Sequence, residues 1–93
     1  MRLRWSSPAS ADLDAIQRCV AEDNVGAAGR MRTRMESAAK GLLDQPMMGR
    51  TGKADGTREF VIARTPYILI YRVNPEVLEV LRVIHGAQRW PPT

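Results

Sequence analysis

Tyr67-Ile68-Leu69-Ile70-Tyr71-Arg72-Val73-Asn74-Pro75-Glu76-Val77-Leu78-Glu79-Val80-Leu81-Arg82-Val83-Ile84 is the stretch that decides how this chain folds. Two runs rich in β-branched and aromatic residues flank Asn-Pro-Glu, which is turn chemistry because proline presets its own φ and asparagine bonds to nearby backbone. The reading is a hairpin of strands 67–73 and 77–84. If Val73 faces Val77 across a three-residue turn, Tyr71 faces Glu79, Leu69 faces Leu81 and Ile68 faces Arg82. A slip of one residue would change every pair. Immediately upstream, Arg58-Glu59-Phe60-Val61-Ile62 reads as a further strand. Residues 44–57 hold three glycines and one proline without either period, and so read as an irregular connection.

Further from the hairpin the period changes to that of a helix. Ala28, Met31, Met35, Ala38/Ala39 and Leu42 recur every three or four residues and predict a helix over 25–43. Leu13, Ile16 and Val20 predict another over 8–22, with Ser7 as N-cap, Pro8 at the first helical position and Asp12 near the positive end of the dipole. Asp23-Asn24 breaks the first helix and caps the second, and so short a connection makes them an antiparallel pair. Arg2 to Ser6 alternates polar and apolar, a short strand with Leu3 and Trp5 inward. Gly86 to Thr93 contains two prolines and should lie on the body as a tail. The order is β-α-α-β-β-β, the α+β class, with a helical hairpin covering one face of a mainly antiparallel sheet. The opposite face is expected to be open and to carry arginines.

Ninety-three residues and 10.4 kDa allow one domain, 1–93, and a single core. Composition, 44% hydrophobic and 26% charged, is that of a folded chain. One cysteine excludes an internal disulfide, and one cysteine with one histidine falls short of a structural zinc site, so no cofactor or metal is expected. No apolar run approaches the length of a membrane span, and nothing resembles a signal peptide, so a cytoplasmic location is expected. Fourteen basic against ten acidic residues give +4, and twelve of the fourteen are arginine, which favours an anionic partner. The excess is +1 up to residue 49 and +3 after it.

Candidate chemistry is sparse. His85 closes the last strand, and an imidazole bordering a cleft suits a general acid or base; a hydrogen-bonded residue at the sheet edge is the structural alternative. Cys19 reads as an inert, buried or half-buried thiol, with no base at helical spacing to activate it. Asp12 and Asp14 read as solvated helix surface. Arg30, Arg32 and Arg34 alternate along a helix, spread around about 200° of it, and do not converge. Arg58, Arg64, Arg72, Arg82 and Arg89 lie in or beside the sheet and form a candidate anion-binding surface. Tyr67, Tyr71 and Trp90 offer stacking faces for bases, or core packing and a tail anchor. Met31 and Met35 read as core of the helix pair; Met47 and Met48, in the loop, do not.

Several ordered fragments carry a family resemblance: Trp5-Ser6 with Pro8-Ala9 and Ala11-Asp12-Leu13; Ala21-Glu22-Asp23-Asn24; Pro46-Met47-Met48-Gly49-Arg50; Gly56-Thr57-Arg58-Glu59; Tyr67 to Val73; and Leu81 to Pro91, ending His85-Gly86-Ala87-Gln88-Arg89-Trp90-Pro91. End to end the chain resembles the RelE/ParE toxins of type II toxin–antitoxin systems, whose fold is the order just read. That superfamily holds two mechanisms on one fold. In the branch that cleaves mRNA on the ribosome, the matching strand begins Tyr-Arg, and the arginine stabilises charge on the attacked phosphate. Here Ile68 stands in its place, with Glu59 and Val61 where that branch tends to carry lysines.

The Pro-x-x-Gly-Arg loop, Ile68 and the His-Gly-Ala ending look more like the ParE branch, associated with plasmid stabilisation, whose characterised members inhibit DNA gyrase by binding. On that resemblance Arg58, Arg82, Arg89 and Trp90 are the target-contact candidates; for a nuclease, Arg58, Arg82, His85 and Arg89 would be the catalytic set. Either branch implies an acidic cognate antitoxin that folds on binding and a hetero-oligomer with it. The antitoxin would fold over the helix pair and the sheet edge, with the outer surface of the helix pair near Leu13, Ile16 and Met35 as a candidate groove. The endoribonuclease, and a binding module without toxicity, remain the alternatives.

Overall fold

In the computed structural model, which describes residues 1–88, 90 and 91, the chain runs β1 (Arg2–Trp5), α1 (Ser7–Ala21), α2 (Val25–Gly41), β2 (Arg50–Thr51), β3 (Arg58–Val61), β4 (Tyr67–Val73) and β5 (Val77–His85). The five strands form one sheet in the order β1-β5-β4-β3-β2, antiparallel except where β1 lies parallel to β5. This is the expected α+β arrangement with one strand more. Arg50 and Thr51, read as irregular, pair with Glu59 and Arg58. A two-residue strand is too short to show a period.

The helices start where capping chemistry places them. Asn24 accepts from the Ala27 N–H at 2.9 Å, as its position before the second helix suggested. The first helix is capped by Ser6 rather than Ser7: its Oγ accepts from the Ala9 N–H at 3.1 Å and donates to the Leu81 carbonyl at 2.8 Å. The cap thus fastens α1 to β5. Proline is tolerated anywhere in the first turn, where no intrahelical N–H is required, so Pro8 did not discriminate between the two serines. Arg32 ties the helices together, 2.6 Å from Asp14 and 3.7 Å from Glu36, with Gln17 at 3.1 Å. It is therefore an interhelical link rather than free surface, and the hydrogen bond to Asp14 raises its pKa above the usual arginine value.

The hairpin register differs from the sequence reading. Val73 pairs with Leu78, Arg72 with Glu79 and Tyr71 with Val80; then Leu81 bulges out, and Ile70 pairs with Arg82 and Ile68 with Ile84. The Asn74 N–H donates to the Val77 carbonyl at 2.8 Å, so Val77 belongs to the turn closure, which shifts the register by one. The bulge adds a second residue. Its effect is to keep Val80 and Val83 both on the helix-covered face with Leu69, Tyr71, Leu78, Leu13, Met35 and Ala39, in one core.

The second sheet face is less open than its alternation implied. Ile70 is 0% exposed and Ile84 5%. Ile70 sits in register between Glu59 and Arg82, long side chains whose stems flank it. After β5 the chain turns back, the Gly86 N–H donating to the Pro66 carbonyl at 2.7 Å. A Cβ at Gly86 would lie 3.9 Å from Ile68 Cδ1, so the start of the tail lies against this face, as expected of a tail on the body.

Candidate functional site

Three features stand out: a loop and a groove at the β3 side of the sheet, and a cluster at the other edge, along the end of β5. The first is the loop Pro46 to Arg50. Tyr71, fully buried, donates its hydroxyl to the Pro46 carbonyl at 2.7 Å and accepts from the Gly49 N–H at 2.9 Å. Burial raises the Tyr71 pKa, with the Gly49 N–H and the Arg58 charge opposing. A base-stacking role for Tyr71 is thereby overturned, since the ring has no free face. Arg58 donates to the Gly49 carbonyl at 2.8 Å and reaches the Met47 carbonyl at 3.5 Å. Arg50 binds Glu59 Oε1 at 3.0 Å, and the Lys53 N–H donates to Glu59 Oε2 at 3.3 Å. Gly49 is required here: a Cβ would sit 2.6 Å from the Tyr71 hydroxyl and 2.9 Å from the Glu59 carbonyl. The loop is braced at four points, yet Met47 stays 60% and Met48 50% exposed. Two thioether side chains held outward on a fixed loop form an adaptable apolar contact.

The second feature is a groove of about 350 Å³ beside that loop, between the C-terminal half of α2 and β3. Ala38, Gly41, Leu42, Phe60, Ile62 and Met48 make it apolar, and the exposed Arg34 and Arg64 also line it. The third is a cluster at the end of β5. β1 stops opposite Val80, so the next part of the β5 edge has no strand beside it. Asp12 takes that place: its carboxylate accepts from the Val83 N–H at 2.9 Å and from Arg82 Nε at 2.7 Å and a second guanidinium nitrogen at 3.1 Å. This bond raises the Arg82 pKa, partly opposed by burial. The Arg82 guanidinium carbon also lies 5.8 Å from the centroid of the Trp90 ring, a cation–π contact.

The residues singled out from sequence fall as follows. Arg58, Arg82 and Trp90 are near the sheet, as expected, but each arginine is engaged within the protein rather than free. Asp12, read as solvated surface, is the partner of Arg82 and is 18% exposed. Its partner lies 70 positions away, beyond any local signal. His85 is exposed, its Nδ1 accepting from the Ala87 N–H at 3.0 Å and its ring edge-on to Tyr67. Arg89 lies outside the described residues. Leu13 and Met35 are 2% and 0% exposed, so the reading that placed an antitoxin on them is corrected: core packing occupies both. Ile16 is half-buried. Cys19 is exposed, not buried, because it falls beside the apolar stripe rather than on it.

A helical hairpin on a small mixed sheet, with a braced apolar loop and groove beside it, is the RelE/ParE-like α+β architecture of type II toxins. The chain belongs to the family described as ParE toxin of type II toxin–antitoxin system, parDE, which it matches over residues 3–90. It is 40% identical over 90 residues to the toxin Y4kP of Sinorhizobium fredii, covering 97% of this chain and 93% of that one. It is 34% identical over 84 residues to toxin RelE2 of Caulobacter vibrioides, covering 90% and 93%. Among solved structures it is similar to a chain of the chromosomal ParDE system from P. aeruginosa, with a TM-score of 0.83 at 27% identity, covering 91% of this chain and 95% of that chain. The protein is thus a type II toxin of the RelE/ParE superfamily.

Proposed function

We propose that this toxin arrests growth in the cytoplasm by binding DNA gyrase, without breaking a bond itself, and that an acidic cognate antitoxin neutralises it. The observation that carries this reading is the state of Arg82. A guanidinium that stabilises a phosphorane must turn its donors toward the phosphate. Here two of those donors are already spent on the Asp12 carboxylate, and the ring of Trp90 lies near the guanidinium. Arg58 is likewise committed to two loop carbonyls. Ile68, where the nuclease branch has its arginine, pairs with Ile84 and has no donor to offer. Facing solvent at the β3 side of the sheet is apolar contact surface: Met47, Met48 and the groove.

Expression of the chain without its antitoxin tests this. Growth arrest should come with gyrase held in cleaved complexes on DNA while transcripts stay intact. Cleavage of mRNA on ribosomes, abolished by Arg82→Ala or His85→Ala, would replace the gyrase reading with the endoribonuclease one. Tight antitoxin binding without arrest would mark a module that has lost toxicity.

A further inference from the structure

The five methionines of this chain differ in what covers them. Met35 is fully buried, and Met31 packs half-buried against the same core. Met1, Met47 and Met48 are exposed, the last two side by side in one loop. That loop owes its shape to groups other than their side chains. The Met48 N–H donates to the Gln45 carbonyl at 3.0 Å, and the Met47 carbonyl accepts from Arg58 at 3.5 Å. On either side the Tyr71 hydroxyl holds Pro46 and Gly49. The methionines thus enter the brace through backbone atoms alone, and neither thioether belongs to the core. Their sulfurs can change chemically while the fold stays as it is. Apolar contact by itself does not demand methionine, since leucine is of similar volume and polarity. What methionine adds is an adaptable shape and a sulfur open to oxidation.

We propose that Met47 and Met48 are a paired oxidation site, at which a peroxide turns the contact loop from apolar to polar and so disarms the toxin. The inference rests on the reading that this loop is target-contact surface, and adds how that contact is regulated. The step is a two-electron oxidation. A lone pair of the thioether sulfur attacks one peroxide oxygen, and the O–O bond breaks as the S=O bond forms. The departing hydroxide takes the proton of the transferred oxygen and leaves as water. Sulfur is oxidised and the peroxide reduced, with no further reactant, and methionine sulfoxide reductases reverse the change. The product carries a strong hydrogen-bond acceptor where the thioether was apolar, and burying it in a contact without a donor costs free energy. Met48 carries the larger effect, because it lines the groove with Leu42, Phe60 and Ile62, and a sulfoxide oxygen there interrupts an apolar wall. Cys19 is also exposed, but it lies on α1 and lines neither the loop nor the groove.

Hydrogen peroxide treatment of the purified toxin tests this, in a Cys19→Ser background that removes the thiol. Peptide mass mapping should find one added oxygen on Met47 and one on Met48 while Met35 stays reduced, and thermal melting should not move. Inhibition of gyrase supercoiling should weaken about tenfold or more, the size of one acceptor buried without a donor. Binding of a neutral apolar dye such as Nile red should fall with it, and a sulfoxide reductase should restore both. In Met47→Leu/Met48→Leu, dye binding and inhibition should be the same before and after peroxide, whatever their starting values. Oxidation of both sulfurs that leaves the dye and inhibition unchanged overturns the proposal. So does a lowered melting temperature, or an equal loss in the leucine variant, which would place the effect at another residue. Untreated toxin that binds the dye without inhibiting gyrase overturns the gyrase reading instead, and the dye and the mass map then decide the oxidation site by themselves.

Discussion

The Tyr71 hydroxyl bridges two backbone groups of one loop, so removing its oxygen leaves the Gly49 N–H and the Pro46 carbonyl facing a buried gap. Tyr71→Phe should cost about 1–3 kcal/mol in urea unfolding, the penalty for orphaned buried polar groups. The same tyrosine makes a pH prediction. Its folded pKa is raised above 10.0 by burial, so the native state holds this proton more tightly than the unfolded chain does. The stabilisation is fully present below pH 10 and is lost as pH rises through the folded value. Wild-type stability should therefore fall above about pH 10 more steeply than that of Tyr71→Phe. Gly49→Ala must push either the Tyr71 ring or the β3 backbone, and a loss of about 1–3 kcal/mol is expected from such overpacking. Calorimetric melting would check it.

Helices and strands are coupled here through few, specific contacts. Asp12 joins α1 to β5 by supplying acceptors to a backbone N–H and a guanidinium at once. Asp12→Ala strands both donors. Because the pair is partly exposed, 18% for Asp12 and 32% for Arg82, a cost of about 1–3 kcal/mol is expected, below that of a fully buried pair. Chemical denaturation would measure it, and restoration by Asp12→Glu but not Asp12→Asn would separate charge from size. Met35→Ala on α2 acts differently, opening a cavity in the common core. About 2–5 kcal/mol is expected, enough to unfold a small domain in part at growth temperature.

The whole molecule is 93 residues with one core, so a partner that binds only the folded form should stabilise it strongly. At a hundredfold excess over its Kd an antitoxin contributes about 2.7 kcal/mol, or roughly 10–20 °C in melting temperature for a chain of this size. Scanning calorimetry of toxin with increasing antitoxin would show the shift; a melting temperature unaffected by antitoxin would contradict native-state binding. On the proposed reading a partner covers Met47, Met48 and the groove, since exposed apolar surface of this kind is an aggregation liability.

Apolar spacing along the chain was sufficient for the number and order of helices and long strands, because the period of a helix or a strand is a local property of a dozen residues. It was also sufficient for Asn24 as a cap and for the exposed character of Met47 and Met48. The register of the hairpin, the bulge at Leu81 and the two-residue β2 depend on how the strands fit over the helices, and no local pattern encodes that fit. The same holds for the chemistry. Arg82 looked like a free cation until Asp12, 70 positions earlier, was brought to its edge by the fold. A residue's type is written in the sequence; whether its charge is available is decided by what the folded chain packs beside it.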